Sequence, residues 1–276
     1  MTLLEVYRKS ADALSFGGAG EFETKVLFED VLKVQMPVYD YSTVNATDEQ
    51  IALMDKLIER RKKGEPLQYI VGSWSFYGLE FAVGEGVLIP RPETELLVEY
   101  VLKELKNINN IVVYDLCSGS GCIGLTVAKI RPDADVYLFE KEDKAFEYTK
   151  KNAEKFNLKN VNLVKCDIFD FDFSLLPLAD AIISNPPYIK TDEIPLLQTE
   201  VRHEPVSSLD GGKDGLDFYR CIASKWSKKL KKGGLIAMEC GDGQSSDIIS
   251  VFDSIKSEKN VVFDFNDIDR IVTFRI

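Results

Sequence analysis

The residue types best suited to bind a flat amino group stand together in the tetrapeptide Asn185-Pro186-Pro187-Tyr188. It follows the apolar run 181–184, and its two prolines lack an N–H and fix φ at about −65°, so a strand must end there. Pro186 also restricts Asn185 to extended backbone conformations. The Asn185 side chain and the Pro186 carbonyl therefore offer two acceptors in a nearly fixed relation, and Tyr188 offers an aromatic face. A glutamine amide, an asparagine amide or the exocyclic amine of adenine would each fit.

Polar side chains also stand at the ends of the other predicted strands. Apolar runs at 111–114, 136–139, 161–164 and 181–184 recur in a strand, loop, helix order. This alternation predicts an α/β fold with a doubly wound, mainly parallel sheet, in which ligands bind beyond the carboxyl ends of the strands. The residues expected to share that edge are Asp115, Glu140, Asp167 and Asn185.

A glycine-rich turn follows the first of these strands and leads into a helix predicted over 123–130. Its spacing, Gly119-x-Gly121-x-x-Gly124, matches the dinucleotide fingerprint, so a nicotinamide oxidoreductase is a competing interpretation. Asp115 argues against that class, because a carboxylate just before the loop attracts the ammonium group of an amino acid and repels a pyrophosphate.

The next two strand ends favour a nucleoside. An acidic residue that ends the second strand can accept hydrogen bonds from a ribose diol, which assigns Glu140 to that role. Asp167 is placed to accept from the adenine amine while Ile168 packs on the ring. Adenosine and an amino acid in one molecule are S-adenosylmethionine.

Composition narrows the classes of partner. The 276 residues carry a net charge of −11, which disfavours a large surface that tracks phosphates, so no stable nucleic-acid partner is expected. Five cysteines without a CxxC pair and the absence of a leader pattern predict a reducing cytoplasm. No apolar run approaches the roughly 20 residues that span a bilayer, so no membrane partner is expected. A single histidine, His203, excludes multi-histidine metal sites, and no metal is expected.

The pattern along the chain predicts three regions. Residues 1–70 form a small helical domain: capping boxes at Thr2 and Thr47 start two helices, and a third covers 22–34. Residues 71–92 form a β-hairpin linker. Residues 93–276 form the α/β domain. Four details complete this prediction: a break at Gly17, Gly18 and Gly20, a hairpin turn at 84–86, a helix that ends at 231–234 before a strand at 235–238, and antiparallel final strands at 261–265 and 271–276, which make the sheet mixed.

Two motifs resemble those of a known family. Residues 115–121, Asp-Leu-Cys-Ser-Gly-Ser-Gly, resemble motif I of the class I S-adenosylmethionine-dependent methyltransferases, and 185–188 resemble the motif of amino-group methylators. Further segments at 66–70, 87–95, 204–205 and 210–216 narrow the resemblance. Together they look like the HemK/PrmC family, the protein-(glutamine-N5) methyltransferases of peptide chain release factors.

The resemblance implies a class I methyltransferase fold and an activity. The implied reaction uses S-adenosylmethionine, releases S-adenosylhomocysteine, and methylates the glutamine in the Gly-Gly-Gln motif of class-1 release factors, which the helical domain would dock. The implied cofactor residues are Asp115, Cys117, Ser118, Gly119, Ser120, Gly121, Glu140, Asp167, Ile168 and Asn185. The implied glutamine-binding residues are Asn185, Pro186, Pro187 and Tyr188, of which Asn185, Pro186 and Tyr188 are catalytic.

Three residues depart from the family's pattern. Cys117 stands where glycine is usual, Glu140 where aspartate is frequent, and Ile168 where an aromatic residue can occur. Besides the nicotinamide oxidoreductase, two alternatives stay open at this point. An adenine-N6 methyltransferase acting on DNA or RNA would use the same acceptors, although the negative charge disfavours it. A cofactor-binding scaffold without catalysis is disfavoured by the intact tetrapeptide.

Overall fold

The computed structural model describes residues 1–15 and 18–276, so Gly17 of the predicted break lies outside the described residues. Contacts divide the chain into two units. The helical unit comprises Met1–Ser73 and Gln198–His203, and the sheet unit comprises Trp74–Leu197 and Glu204–Ile276. Within the described part of the chain, no helix has the length and apolar character needed to cross a membrane.

The helical unit begins its two longest helices with the predicted capping boxes. Helix α1 (Leu3–Ala13) starts after Thr2, and helix α3 (Asp48–Lys62) starts after Thr47. In each box the threonine hydroxyl accepts from the third helical N–H, and the side chain of that third residue accepts from the threonine N–H. The structure confirms both helix starts.

The third predicted helix, over 22–34, has different bounds and winding. Helix α2 (Gly20–Val26) passes into a π-helical turn (Leu27–Val31). Gly20 begins the helix instead of breaking the chain, and a Cβ there would collide with the backbone of α1. The wide turn buries its first two side chains fully, so core packing overrides the regular helical period.

A buried arginine holds the inserted segment 198–203 in the helical unit, which also contains the short helix α4 (Leu67–Val71). The Arg61 guanidinium donates to the two carboxylate oxygens of Glu23, each at 2.9 Å, and to Glu200 Oε1 at 3.1 Å. Such forked, charge-assisted bonds fix geometry as well as charge. Residues far apart in sequence are therefore joined at one buried point.

The predicted β-hairpin is present, but its turn comes earlier than expected. The chain reverses at Tyr77 and Gly78, whose φ angles are 51° and 72°. Two consecutive positive φ angles are typical of two-residue hairpin turns, and the Tyr77 N–H is held by Glu95 Oε1 at 2.7 Å. A turn is present at the predicted 84–86, where the Val87 N–H donates to the Gly84 carbonyl at 3.3 Å, but it does not join the two strands. The turn that joins them was missed because tyrosine is an unusual turn residue. The strands are β1 (Ser73–Phe76) and β2 (Leu79–Ala82).

The sheet unit contains the predicted doubly wound, mixed sheet. Its seven strands run in the order β5-β4-β3-β6-β7-β9-β8, with parallel pairing from β5 to β7 and antiparallel pairing of β9 with both β7 and β8. The strands are β3 (Val112–Leu116), β4 (Asp135–Glu140), β5 (Val161–Lys165), β6 (Ala179–Ser184), β7 (Leu230–Glu239), β8 (Glu258–Phe263) and β9 (Asp269–Arg275).

Helices cover both faces of this sheet. One face packs on α5 (Glu95–Glu104), α6 (Cys122–Ile130) and α7 (Asp143–Lys155), and the other on α8 (Asp217–Ser224) and α9 (Ser245–Val251). The strand order reverses between β3 and β6. Ligands bind at such a switch point, beyond the carboxyl ends of the strands.

The approach to β7 differs from the prediction of a helix ending at 231–234. Helix α8 ends at Ser224, a 3-10 turn covers Trp226–Lys229, and the strand itself starts at Leu230. Trp226 is fully buried and donates from Nε1 to the Ile168 carbonyl at 3.0 Å, which fixes the turn in the core. The glycines at 233 and 234 lie in a register shift of the strand and bond to the chain's last residue.

Candidate active site

A cavity of about 430 Å³ opens at the switch point of the sheet unit. This volume lies within the range of about 300–1,000 Å³ that small-molecule sites occupy. Most of the residues predicted from strand ends and motifs line it. The predicted residues in its wall are Cys117, Ser118, Gly119, Ser120, Glu140, Asp167, Ile168, Asn185 and Pro187.

The loop after β3 has a strained backbone. Cys117, Gly119 and Gly121 have φ angles of 61°, 58° and 81°. The left-handed region is costly for a residue with a Cβ, so Cys117 carries the strain that the usual glycine would avoid. Gly121 lies behind the cavity wall, where a Cβ would come within 2.8 Å of Leu125 Cδ1. Burial raises the pKa of the Cys117 thiol well above its ordinary value, so the thiol stays neutral.

Buried polar atoms in this loop have no protein partner within the described residues. They are the Ser118 and Ser120 hydroxyl oxygens and Asp115 Oδ1. Buried groups of this kind are normally hydrogen-bonded, so these atoms are available to a bound ligand or to water. Asp115 belongs to β3 and is not among the residues that line the cavity; it is fully buried, with Oδ2 accepting from the Gly124 N–H at 2.8 Å. Burial raises the pKa of Asp115 to about 8, against the Gly124 bond and with the charge of Glu140 adding to the rise.

Glu140 joins two segments of the cavity wall. Its Oε2 accepts from the Gly119 N–H at 2.8 Å and its Oε1 from the Glu142 N–H at 2.7 Å. Each carboxylate oxygen has a second lone pair available. Since the Lys141 N–H contacts it as well, the carboxylate is held rigidly by the backbone, and its remaining lone pairs can accept further hydrogen bonds. Burial raises the pKa of Glu140 above its ordinary value, although these N–H groups oppose the rise.

The residues after β5 form a third part of the wall. Asp167 Oδ1 accepts from the Phe169 N–H at 3.0 Å, and Oδ2 pairs with Lys141 Nζ at 2.9 Å. Burial would raise the pKa of Asp167, but the hydrogen bond from Lys141 and its charge lower it below the ordinary value. Ile168 is buried and supplies an apolar surface beside this carboxylate.

Asn185 follows β6 and lies in the cavity wall with its amide nitrogen already engaged. Its Nδ2 donates to Thr94 Oγ1 at 3.2 Å, and the Thr94 hydroxyl donates to Glu239 Oε2 at 2.6 Å. Sequence reasoning included Thr94 only in the segment 87–95, without a role, and passed over Glu239. Glu239 ends β7, so the strand-end rule that found Asp115 and Glu140 would have found it as well.

The rest of the tetrapeptide contacts two segments that are distant in sequence, Gln244 and the glycine-rich loop 210–216. Pro186 is buried, and the Tyr188 carbonyl accepts from Gln244 Nε2 at 2.9 Å. A Cβ on Gly211 would lie 2.8 Å from the Pro187 carbonyl oxygen and from Tyr188 Cα. The glycine is needed for this close approach, which explains the motif at 210–216. Pro187 lines the cavity, whereas Pro186 and Tyr188 are not among the residues that line it.

Other residues that sequence reasoning did not assign complete the wall. Arg91 pairs with the buried Glu204, whose Oε2 accepts from the Ile89 N–H at 2.9 Å. This pair holds the segment after the hairpin in place. The further unassigned residues in the wall include Thr94, Lys141, Pro205, Val206, Ser207 and Ser208.

Comparison with known proteins agrees with this geometry. Residues 5–72 match the family described as PrmC N-terminal domain, and residues 92–205 match the methyltransferase small domain. The chain is similar to a release factor glutamine methyltransferase of Thermodesulfovibrio yellowstonii, at 41% identity over 99% of this chain and 97% of that protein. A protein of the same description from Caulobacter vibrioides is 33% identical over 99% of this chain and 96% of its own length.

A solved structure supports the fold. A methyltransferase from Pyrococcus furiosus superposes with a TM-score of 0.54 at 20% identity, covering 73% of this chain and 90% of that one. The prediction of a class I methyltransferase fold is confirmed.

Proposed function

The chain belongs to the family of release factor glutamine methyltransferases, and from this premise we propose which of its residues carry out the reaction and which glutamine of the substrate is methylated. It is an S-adenosylmethionine-dependent enzyme that methylates the side-chain amide nitrogen of a glutamine in a release factor. The glutamine is that of the Gly-Gly-Gln motif of class-1 release factors. One observation supports the site above all: the cavity that holds the cofactor-type residues also has Asn185 in its wall.

The residues of the cavity fit S-adenosylmethionine. The unpartnered Asp115 Oδ1 and Ser118 hydroxyl suit the amino-acid end, and the free lone pairs of Glu140 suit the ribose. Asp167 and Ile168 would flank adenine with a polar acceptor and an apolar surface. When bound there, the cofactor supplies an electrophilic methyl group.

The protein's task is to position a poor nucleophile. An amide nitrogen has a delocalised lone pair, and correct alignment of reacting atoms can contribute about 7–11 kcal/mol. The Asn185 side-chain oxygen and the Pro186 carbonyl would accept the two N–H groups of the glutamine amide and orient its nitrogen. The amide proton leaves after transfer, when the nitrogen has become acidic, so no general base is required.

The helical unit is proposed to dock the release factor, with domain bounds at 1–70, 71–92 and 93–276. The match of residues 5–72 to the PrmC N-terminal domain supports this assignment. A substrate that acts at the ribosome implies a cytoplasmic location. The net charge of −11 supports a protein substrate over a nucleic acid.

Mass spectrometry of the modified substrate tests the proposal. A full-length class-1 release factor is incubated with the protein and deuteromethyl-labelled S-adenosylmethionine, and the expected product carries one label on the Gly-Gly-Gln glutamine. The matched control is a release factor with alanine in place of that glutamine. Label on adenine of DNA or RNA in parallel reactions, with an unmodified release factor, would contradict the proposal.

A further inference from the structure

A buried hydrogen-bond chain leads from the end of β7 to Asn185. Glu239 is 4% exposed and Thr94 is 1% exposed. The Thr94 hydroxyl oxygen is 2.6 Å from Glu239 Oε2 and 3.2 Å from Asn185 Nδ2. The three groups come from different parts of the chain: the end of β7, the turn before α5, and the segment after β6.

The direction of these hydrogen bonds follows from the number of hydrogens that each group can donate. An ionised carboxylate only accepts, so the single Thr94 hydrogen points to Glu239. Thr94 then has only lone pairs left for Asn185, and the group that faces it must be the amide –NH2. The Asn185 oxygen is thereby left for another partner. The carboxylate thus decides which end of the asparagine amide is available at the cavity.

We propose that Thr94 and Glu239 are positioning residues that lock the Asn185 amide with its oxygen available to the –NH2 group of the substrate. This inference rests on the proposed function, because the substrate is the glutamine amide named there. A flipped amide would present –NH2 to –NH2, and the acceptor on which alignment depends would be lost.

Protonation of Glu239 would release this lock. A protonated Glu239 can donate to Thr94 Oγ1, which frees the Thr94 hydrogen to donate to the Asn185 oxygen and allows the amide to flip. Burial raises the pKa of Glu239 to about 7, against the Thr94 bond. Activity that depends on the lock is therefore retained above this pH and lost below it.

The titratable and charged groups around Glu239 do not change their own charge near pH 7. Glu93 adds to the rise of its pKa, whereas Arg270 and Arg91 lower it. Burial raises the pKa values of the neighbouring Tyr188, Tyr219, Cys122 and Cys240, so these four remain neutral near pH 7. The titration that reaches Thr94 in this range is that of Glu239.

Substitutions at Thr94 separate positioning from folding. Thr94→Val removes the hydroxyl at nearly constant shape and is expected to lower kcat by about tenfold or more, with the affinity for S-adenosylhomocysteine changed less than about twofold. Thr94→Ser restores the hydroxyl and is expected to recover most of kcat. Thr126→Val is the matched control, because Thr126 is fully buried and its hydroxyl donates within α6, to the Cys122 carbonyl at 2.6 Å. It is expected to lower thermal stability without lowering kcat.

The pH dependence of kcat distinguishes a positioning role of Glu239 from a purely structural one, which would not produce it. The wild-type kcat is expected to fall as the pH drops through about 7. In Glu239→Gln this fall of kcat at low pH is expected to disappear. Independently of activity, the Asn185 side-chain –NH2 signal in an NMR spectrum, assigned with Asn185→Ala, should shift with the same midpoint. In Glu239→Gln this shift should disappear.

Each outcome is decisive for one of the two proposals. Normal kcat in Thr94→Val, or an Asn185 amide signal that does not follow Glu239, overturns the positioning role even if the release factor is methylated. Failure of the wild type to methylate a release factor contradicts the proposed function, and the NMR titration still decides whether Glu239 controls the amide.

Discussion

The two ends of the cavity differ in how their polar groups are satisfied. At the loop after β3, buried oxygens of Asp115, Ser118 and Ser120 have no protein partner among the described residues. At the end of β6, the Asn185 amide nitrogen is bonded through Thr94 to a buried carboxylate. The first region leaves polar atoms available to a ligand or to water, whereas the second is organised before a substrate arrives. Binding energy and catalytic orientation are therefore assigned to different ends of one site.

The largest expected effect comes from Asn185→Ala. Loss of one oriented polar contact in a transition state costs a few kcal/mol, so kcat should fall by at least about tenfold. Cofactor affinity, measured by calorimetry, should change far less, because the loop after β3 is untouched. Near-normal turnover in this variant would remove the distinction between the two ends.

Glu140→Gln should produce the reverse pattern. The glutamine amide can accept only through one oxygen, so either the Gly119 or the Glu142 N–H loses its acceptor. We expect the KM for S-adenosylmethionine to rise by about tenfold, which corresponds to about 1.4 kcal/mol, with kcat at saturation nearly unchanged. Glu147→Gln is the control, because Glu147 is exposed on α7 and is not among the residues that line the cavity.

The raised pKa of Asp115 predicts that cofactor binding releases a proton. Its carboxyl has a pKa of about 8 in the cofactor-free protein, so it is mostly protonated at pH 7. An ammonium group beside it favours the charged form, and binding should release close to one proton, measured by calorimetry in buffers of different ionisation enthalpy. Methylthioadenosine, which lacks the amino-acid group, should release none. Equal proton release by both ligands would place the ammonium group elsewhere.

The raised pKa of Asp115 also predicts how the free energy of unfolding depends on pH. The folded pKa of about 8 lies above the ordinary value of about 3.9. Between these values the unfolded chain is charged and the folded chain is not, so this group's contribution to the free energy of unfolding falls as the pH rises from about 4 to 8 and is constant above. Asp115→Asn should remove this dependence in denaturant titrations of the cofactor-free protein. A pH dependence that persists unchanged in the variant would contradict the assignment.

The smallest expected effect concerns the strain at Cys117. Glycine relieves the positive φ angle, so Cys117→Gly should cost less stability than Cys166→Gly by about 1 kcal/mol. Cys166 is the matched control because it also lines the cavity and its φ angle is not positive. Equal losses in urea unfolding would mean that the loop carries no such strain.

The sequence predicted most of the sheet unit because each parallel strand is a short apolar run with a polar residue at its end. That rule located Asp115, Glu140 and Asp167 without a structure. It was not applied to the strand predicted at 235–238, and Glu239 was missed. Thr94 was missed for a different reason: its partners, Asn185 and Glu239, are far away in sequence, and only the fold brings them together.

The errors in the elements have the same physical origin. Tyr77 has a positive φ angle and its N–H donates to Glu95, a tertiary contact that leaves no local signal in the sequence. The π-helical turn after α2 reflects burial of two consecutive apolar side chains. Local patterns predict where an element begins when a cap is present, and they fail where a distant contact determines the backbone.

The inserted segment 198–203 has a consequence for the order in which the chain can fold. The helical unit is encoded first, but Arg61 lacks its second carboxylate partner until Glu200 has been synthesised. During translation, domains generally fold as units from the N-terminus. Here the first unit can reach its final state only after most of the sheet unit has left the ribosome. A fragment ending at residue 73 should therefore be less stable than the same unit within the whole chain.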